Sequence, residues 1–124
     1  MTELHEAASK GDVDKMQSLL STGDVDVDSE DWDYGRRTPL HVAASKFKCV
    51  KKLLEFGADG EMRMSGGWTA AHCAAERGSV KILQALIDAG VSVTMEDNSG
   101  DTPRKIALVY GHKKCVELLD SVKE

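Results

Sequence analysis

The segment from Thr69 to Gly90, TAAHCAAERGSVKILQALIDAG, predicts two short helices joined by a turn. Thr69 is a suitable N-cap for the first helix, Gly78 ends it, and Gly90 stands just after the second helix, where a C′ glycine belongs. Alanines 71, 74 and 75 recur at i, i+3 and i+4, so they share one face of the first helix. We expect that face to be buried against a neighbouring element.

Three other segments of the chain follow the same template. They begin at Thr2 (TELHEAA), Thr38 (TPLHVAA) and Thr102 (TPRKIALVYG). Taken with Thr69, the four threonines lie 36, 31 and 33 residues apart along the chain. A period near 33 residues with a T-P-L-H opening and two alanines resembles the ankyrin repeat, and the resemblance covers essentially the whole chain. Within that family, the chain is most similar to small four-repeat members.

The resemblance implies an all-α fold, a solenoid of four helix-turn-helix repeats with hairpin fingers, which are the connections between successive repeats. We expect one domain over residues 1–124, with repeats at approximately 2–34, 35–65, 66–98 and 99–124. The first repeat carries a polar outer flank, and the fourth has Arg104 and Lys105 in place of the leucine and histidine of the motif. We therefore expect these two repeats to act as caps.

Composition narrows the classes of function. The chain has 124 residues, a net charge of −5 and three cysteines without paired spacing. This charge argues against a nucleic-acid partner, whose phosphates need an excess of lysine and arginine on one surface. No apolar run is long enough for a signal peptide or a membrane span, so we expect no membrane partner. With its unpaired cysteines, the chain is expected in the cytoplasm, the nucleus or both.

The second repeat departs from the template at its inter-helix turn. Repeat one reads ASKGDVDKM there and repeat two reads ASKFKCVKK, so two residues are missing, including the turn glycine. We predict that the first helix of repeat two is shortened by about half a turn, and that Phe47 takes the core position of Val13 and Val80. The lysines at 46, 48, 51 and 52 are expected to form the solvated face of an outer helix.

Three histidines and one acidic loop are the candidates for chemistry. His5, His41 and His72 occupy the same motif position, and the resemblance implies that each hydrogen-bonds the neighbouring threonine and the backbone of the stack. The first connection, residues 23–38, is rich in aspartate, but it lacks the sixth-position glycine and twelfth-position glutamate of a calcium loop. We expect no catalytic residue, metal ion, cofactor or small-molecule substrate, and hence no enzyme.

The aromatic residues indicate where a partner would bind. Four of the six fall in the fingers or on a first helix rather than in the core: Trp32, Tyr34, Trp68 and Tyr110. Tryptophan, tyrosine, arginine and methionine are enriched in protein interfaces and their hot spots. We predict a binding surface on the fingers and on a concave face of the first helices, with the candidate residues Trp32, Tyr34, Arg36, Arg37, Val42, Met64, Trp68, Cys73, Glu76, Arg77 and Tyr110. The two tryptophans have an alternative role, which is to pack one finger against the next.

The sequence thus predicts a non-enzymatic interaction module, expected to be a monomer, whose partner is an unidentified protein. A stoichiometric ankyrin-type inhibitor of an enzyme such as a kinase is the alternative, because ankyrin-built inhibitors of cyclin-dependent kinases also have an irregular second repeat. A calcium-responsive protein is a third possibility, which the loop spacing disfavours. The partner itself is beyond the sequence, since a repeat scaffold sets the shape and variable surface residues choose the ligand.

Overall fold

The computed structural model describes residues 2–122, and within that range it contains eight α-helices and no strand. The first helices of the four repeats are α1 (Glu3–Lys10), α3 (Pro39–Val42), α5 (Ala70–Arg77) and α7 (Pro103–Val109). The second helices are α2 (Val13–Ser21), α4 (Phe47–Glu55), α6 (Val80–Asp88) and α8 (Lys113–Asp120). No helix in the described part of the chain is long and apolar enough to cross a membrane. The all-α fold expected of an ankyrin-repeat solenoid is confirmed.

The residues that begin and end the helices are those that the repeat template predicts. The four motif threonines are the N-caps of α1, α3, α5 and α7. Gly78 ends α5 in the left-handed conformation, at a φ of 70°, and its N–H donates to the carbonyls of Ala74 and Ala75. A β-carbon there would also lie 2.7 Å from the His112 ring, so both the backbone conformation and the nearby ring require glycine at this position. The repeat register read from the threonines is therefore the register of the helices.

The helices stack in two layers around an aliphatic core. First helices contact first helices, and second helices contact second helices, from one repeat to the next. The first layer contributes small side chains to the core, with the alanines 7, 8, 43, 44, 74 and 75 all buried. The second layer contributes larger ones, such as Met16, Val50, Leu53, Leu83 and Leu86. The expected burial of the alanine face is confirmed, and no tryptophan, tyrosine or phenylalanine belongs to the buried set.

A buried histidine joins each of the first three repeats to the next. The His41 Nδ1 accepts a hydrogen bond from the Thr38 N–H (2.9 Å), so its proton lies on Nε2, which donates to the Trp68 carbonyl (3.0 Å). His72 repeats the arrangement with the Thr69 N–H and the Asp101 carbonyl. His5 likewise contacts the Thr2 hydroxyl and the Arg37 carbonyl. The structural role implied for these histidines is confirmed.

In each finger, the backbone hydrogen bond that closes the turn is accepted by the same carbonyl that the motif histidine of the preceding repeat contacts. The first finger comprises residues 24–37, the second 58–68 and the third 91–101. The closing bonds run from the N–H groups of Asp31, Met64 and Asp97 to the carbonyls of Arg37, Trp68 and Asp101, at 2.9, 2.8 and 2.8 Å. A carbonyl has two lone pairs, so one atom accepts both the finger bond and the histidine bond. In the described range, only Asp31 and Arg37 form a β-bridge, so the hairpin fingers are tight turns rather than strand pairs.

The shortening of repeat two is larger than predicted. Helix α3 has four residues where α1 and α5 have eight, so it is shorter by about one turn rather than half a turn. The Lys46 N–H bonds to the Ala43 carbonyl instead of continuing the helix to Val42. The Val42 carbonyl accepts from the Arg77 guanidinium of the next repeat instead (3.1 Å). A side chain of repeat three thus satisfies a carbonyl that the lost turn leaves behind.

The predicted burial of Phe47 is wrong. Phe47 does begin α4, just as Val13 begins α2 and Val80 begins α6, so the alignment of the three residues is correct. Its side chain is nevertheless 41% exposed. Val13 and Val80 are themselves only half-buried, which places this position at the rim of the core. A valine fits the rim, whereas a phenyl ring extends beyond it into solvent.

We predict that repeat two is the least stable part of the stack. Its first helix has lost a turn, and each repeat is supported only by its neighbours. Amide hydrogen exchange should be faster in residues 45–50 than in residues 75–83, because local opening is cheapest where local contacts are fewest. Inserting Gly-Asp between Lys46 and Phe47, as repeat one has it, should be tolerated and should slow exchange there. Equal or greater protection of residues 45–50 in the unmodified chain would refute the prediction.

Candidate functional site

Between residues 2 and 122, no three histidine, cysteine or acidic side chains converge in a way that could hold a metal ion. The three cysteines are buried free thiols, and burial raises the pKa of Cys73 to about 12. Such a thiol is neutral at physiological pH, whereas a nucleophilic cysteine has to be a thiolate. The residues selected from the sequence for contact with a partner lie on the fingers and the first helices.

The tip of the first finger is a closed loop. The Asp31 carbonyl accepts from the N–H groups of Tyr34 (3.2 Å) and Arg36 (2.8 Å), while the Asp31 N–H bonds to the Arg37 carbonyl. Arg36 adopts a left-handed conformation, with a φ of 57°, which is uncommon for a residue with a side chain. These bonds hold the backbone of the loop from both ends. The side chains that project from the loop are therefore attached to a backbone that is held in one conformation.

Two of those side chains are aromatic and face solvent. Trp32 is 72% exposed and Tyr34 is 61% exposed. The Arg36 guanidinium lies 5.4 Å from the centre of the Trp32 ring, and the Arg37 guanidinium lies 5.3 Å from the Tyr34 ring. Cation–π contacts at exposed positions contribute about 0.5–1 kcal/mol each. The two arginines therefore help to orient the rings without covering them.

Hydrogen bonds between neighbouring fingers join them into one row. The Ser65 N–H donates to the Gly35 carbonyl (2.8 Å), and the Asn98 N–H donates to the Gly66 carbonyl (2.9 Å). The Arg63 guanidinium adds a bond to the Glu96 carbonyl (2.7 Å). At Gly67, with a φ of 78°, a β-carbon would lie 2.9 Å from the Asn98 backbone nitrogen, which permits only glycine. The first finger is thus braced by the second, and the second by the third.

Trp68 packs the second finger against the third. Its indole N–H donates to the Asp97 carboxylate (3.0 Å), and its ring stacks on His72 at 5.8 Å between ring centres. Hydrogen bonds from the Asp101 and Ser99 amides, with that from the Trp68 indole, lower the pKa of Asp97. The side chain is half-buried by these contacts. Of the two roles considered for Trp68, the contact between fingers is the one visible in this structure, and contact with a partner stays a prediction.

The remaining candidates on or near the first helices differ in accessibility. Val42 and Cys73 are buried, so they offer a partner almost no surface. Met64 is half-buried, with its sulfur 3.9 Å from that of Cys73. Tyr110 is 54% exposed, and its hydroxyl donates to the carboxylate of the half-buried Glu76 (3.3 Å). Arg77 is exposed, but its guanidinium is already engaged by the Val42 carbonyl.

The structure adds one apolar residue that the sequence analysis did not select. Val109 is 67% exposed beside Tyr110. It occupies the place in α7 that Ser9, Ser45 and Glu76 occupy in the earlier repeats. An apolar residue in an otherwise polar position was the signal available in the sequence. It becomes informative only once the side chain is seen to lie outside the core.

Comparison with known proteins finds similarity to ankyrin-repeat proteins. A family model described as ankyrin repeats (3 copies) matches residues 1–64 and 46–121. Ankyrin repeat and SOCS box protein 5 of Oryctolagus cuniculus is 37% identical over 106 residues, which are 83% of this chain and 31% of that protein. Ankyrin repeat and SOCS box protein 11 of Pongo abelii is 34% identical over 108 residues, 84% of this chain and 32% of that protein.

The chain is also similar to part of a protein kinase. Tyrosine-protein kinase HTK16 of Hydra vulgaris is 32% identical over 125 residues, which cover 98% of this chain and 16% of the kinase. The chain therefore spans less than a third of the length of any of these three relatives.

Proposed function

Since the chain belongs to the ankyrin-repeat family, whose repeats are protein-interaction modules and generally not catalytic, we propose that it binds a partner protein through its fingers and first helices. We propose further that residues 1–124 act as one monomeric domain of four repeats, near 2–34, 35–65, 66–98 and 99–124. The free thiols support a reducing compartment, the cytoplasm or the nucleus. The observation that carries the binding proposal is the exposure of Trp32 and Tyr34 on the braced first finger.

The first finger has the properties of an interface anchor. Trp32 and Tyr34 offer large rings with few rotatable bonds, and hot-spot residues are enriched in tryptophan, tyrosine and arginine. Their backbone is already closed by hydrogen bonds to Asp31, and Arg36 and Arg37 lie on the rings. Less conformational freedom is lost on binding when the side chains are held beforehand. Both rings lie outside the core, so stability of the stack does not account for this pair.

The proposed contact extends from the first finger along the row of fingers to the first helices. After removal of the buried Val42 and Cys73, and with Val109 added, it comprises Trp32, Tyr34, Arg36, Arg37, Met64, Trp68, Glu76, Arg77, Val109 and Tyr110. The first finger also carries exposed carboxylates at Asp24, Asp26 and Asp33. Charges around an interface mainly set specificity and the association rate, so a partner with basic residues at its rim is favoured.

Affinity capture with matched baits tests the proposal. The baits are the wild type, the double variant Trp32→Ala/Tyr34→Ala, and Phe56→Ala, which removes an exposed aromatic ring from the end of α4 instead. Proteins retained by the wild type and by Phe56→Ala, and lost with the double variant, are the partners expected. Truncation of an anchor typically costs about 2 kcal/mol, so calorimetry with the recovered partner should show affinity at least about tenfold weaker.

A control for folding keeps this experiment decisive. Trp32 and Tyr34 are exposed, so the double variant should keep the wild-type circular dichroism spectrum and melting temperature within about 2 °C. A partner that the folded double variant binds with wild-type affinity would contradict a role for the first finger.

One observation favours a second candidate, a stoichiometric inhibitor of an enzyme such as a kinase. Helix α3 is reduced to four residues, which makes the second repeat irregular, as the second repeat also is in ankyrin-built inhibitors of cyclin-dependent kinases. Activity assays of a kinase panel with the pure protein separate the two functions. Loss of activity at a one-to-one ratio, relieved by Trp32→Ala/Tyr34→Ala, would identify an inhibitor, whereas an adaptor leaves activity unchanged.

A further inference from the structure

A second exposed aromatic residue lies away from the fingers. The fingers connect the end of each second helix to the next first helix, whereas the inter-helix turns lie at the other end of each antiparallel helix pair. Phe47 begins α4 directly after such a turn, so it lies at the edge opposite the fingers. We use the name Phe47 patch for Phe47 with the residues that surround it at this edge, which are Lys48, Lys51, Lys81 and Ala85.

Two shallow grooves flank the Phe47 ring. One, of about 300 Å³, lies between Phe47, Lys51, Lys81 and Ala85. The other, of about 290 Å³, lies between Phe47, Val80 and the turn at Gly78. Both grooves include Phe47, the first residue of α4, and repeat two lacks the Gly-Asp pair that precedes α2 in repeat one. An apolar side chain therefore has two places to lie against the ring.

The Phe47 patch is basic, although the chain has a net charge of −5. Lys48, Lys51 and Lys81 are exposed and form no ion pair with another described residue. The Lys51 ammonium lies 5.9 Å from the centre of the Phe47 ring. The neighbouring Lys52 differs, since it pairs with Glu55 at 3.2 Å.

One carboxylate also lines the groove between Phe47 and Ala85. It belongs to Asp88, which accepts from Gln84 at 2.8 Å. Asp88 and Glu55 also line a neighbouring groove with Lys51, but no described carboxylate forms an ion pair with Lys51 or Lys81.

The packing of the repeats requires neither the exposed Phe47 ring nor the lysines around it. The equivalent positions in repeats one and three are filled by valine, which is half-buried and leaves no ring in solvent. A lone exposed apolar residue is ordinary, but an exposed ring between two grooves and among three unpaired lysines has both an apolar and an electrostatic preference. A ligand that satisfies both must carry carboxylates next to an apolar side chain.

We propose that the Phe47 patch binds an acidic peptide segment of a partner protein, with one apolar side chain between its carboxylates. The apolar side chain packs against the Phe47 ring in the groove beside Ala85. The flanking carboxylates pair with Lys51 and Lys81. Exposed ion pairs contribute little each and are screened by salt, so the ring supplies the anchor and the lysines supply charge selectivity.

The test uses a fluorescein-labelled synthetic peptide of alternating aspartate and glutamate around a single leucine, measured by fluorescence anisotropy. Wild-type protein should bind it, and binding should weaken between about 0.05 M and about 0.5 M salt. The same peptide with asparagine and glutamine in place of the acids, or with alanine in place of the leucine, should bind much more weakly. These peptides separate the contribution of charge from that of the apolar contact.

Matched variants locate the site. Phe47→Ala and the double variant Lys51→Glu/Lys81→Glu should each weaken binding by about tenfold or more. Lys114→Glu is the control, because Lys114 is the second residue of α8 as Lys81 is of α6, and it reverses one charge outside the grooves where the double variant reverses two within them. It should change the affinity less than about twofold. The charge-reversed variant should gain affinity for a peptide with lysines in place of the acids.

Several results would overturn this inference. They are no anisotropy change with wild-type protein at about 1 mM, wild-type affinity in folded Phe47→Ala, or an equal loss with Lys114→Glu. Sedimentation that shows self-association lost in these variants would make a second copy the occupant, through its own acidic finger, and would also reject the proposal. Trp32→Ala/Tyr34→Ala should bind the peptide like wild type, so failure at this patch and failure of the finger surface are distinguishable.

Discussion

Lowering the pH from 7 to about 4.5 is expected to reduce the free energy of unfolding by about 2 kcal/mol through His41 alone. His41 is buried, its Nδ1 accepts from the Thr38 N–H, and its Nε2 donates to the Trp68 carbonyl. Protonation of Nδ1 would set two N–H groups against each other. Burial lowers the pKa of His41 from 6.5 to about 4.

The direction of the pH effect follows from these two values. The folded pKa is depressed, so between pH 6.5 and pH 4 the unfolded chain binds a proton at this histidine and the folded chain does not. Stability from His41 is therefore complete above pH 6.5 and is lost as the pH falls towards 4. His72 contributes in the same direction, because burial lowers its pKa as well.

Urea denaturation at a series of pH values, with NMR titration of the imidazoles, checks this expectation. The His41 ring should remain neutral in the native protein down to a pH near 4. A His41→Gln variant should be less stable at pH 7, but its stability should fall less steeply between pH 6.5 and 4.5 than that of the wild type. A native His41 that titrates near its usual pKa, or a variant with an unchanged slope, would contradict the account.

Replacing Trp68 by alanine is expected to cost about 3 kcal/mol of stability, near the lower end of the range for large buried rings because the side chain is only half-buried. The change removes the stacking on His72 of α5 and the hydrogen bond to Asp97 of the third finger. Trp68→Phe keeps an aromatic ring but removes the N–H donor and part of the contact area of the indole, so it should cost less than Trp68→Ala, about 1–2 kcal/mol. Chemical denaturation of both variants gives the comparison, and a cost below about 1 kcal/mol for Trp68→Ala would refute the structural role.

Trp68 also separates structural from direct effects on partner binding. With the partner recovered by affinity capture, we expect Trp68→Ala to weaken binding at least about tenfold under conditions where circular dichroism shows it folded. Lys114→Ala, on the second helix of repeat four, should leave that affinity unchanged. If Trp68→Phe restores the affinity, the ring itself suffices. Wild-type affinity in folded Trp68→Ala, with a loss in a second-helix lysine variant, would place the interface elsewhere.

The sequence alone determined the fold, and its resemblance to the ankyrin repeat implied the role of the motif histidines. Threonine N-caps, the turn glycine and alanines at helical spacing are local signals, because the groups that satisfy them lie within a few residues of one another. The periodic recurrence of Thr2, Thr38, Thr69 and Thr102 then identified the repeat. It also aligned Phe47 correctly with Val13 and Val80, since that alignment depends only on counting residues.

Only the tertiary structure decided which side chains are accessible and what they contact. Trp68 bonds to Asp97, 29 positions away, and Arg77 bonds to Val42, 35 positions away, so both find their partners in a neighbouring repeat. Val42 and Cys73 are covered by the stacking of layers, although their positions on the helix predicted an open face. Phe47 is exposed because its position lies at the rim of the core. The exposed surface is therefore determined by how the repeats pack against one another, because the burial of a side chain depends on its contacts with neighbouring repeats and not only on its position in the helical period.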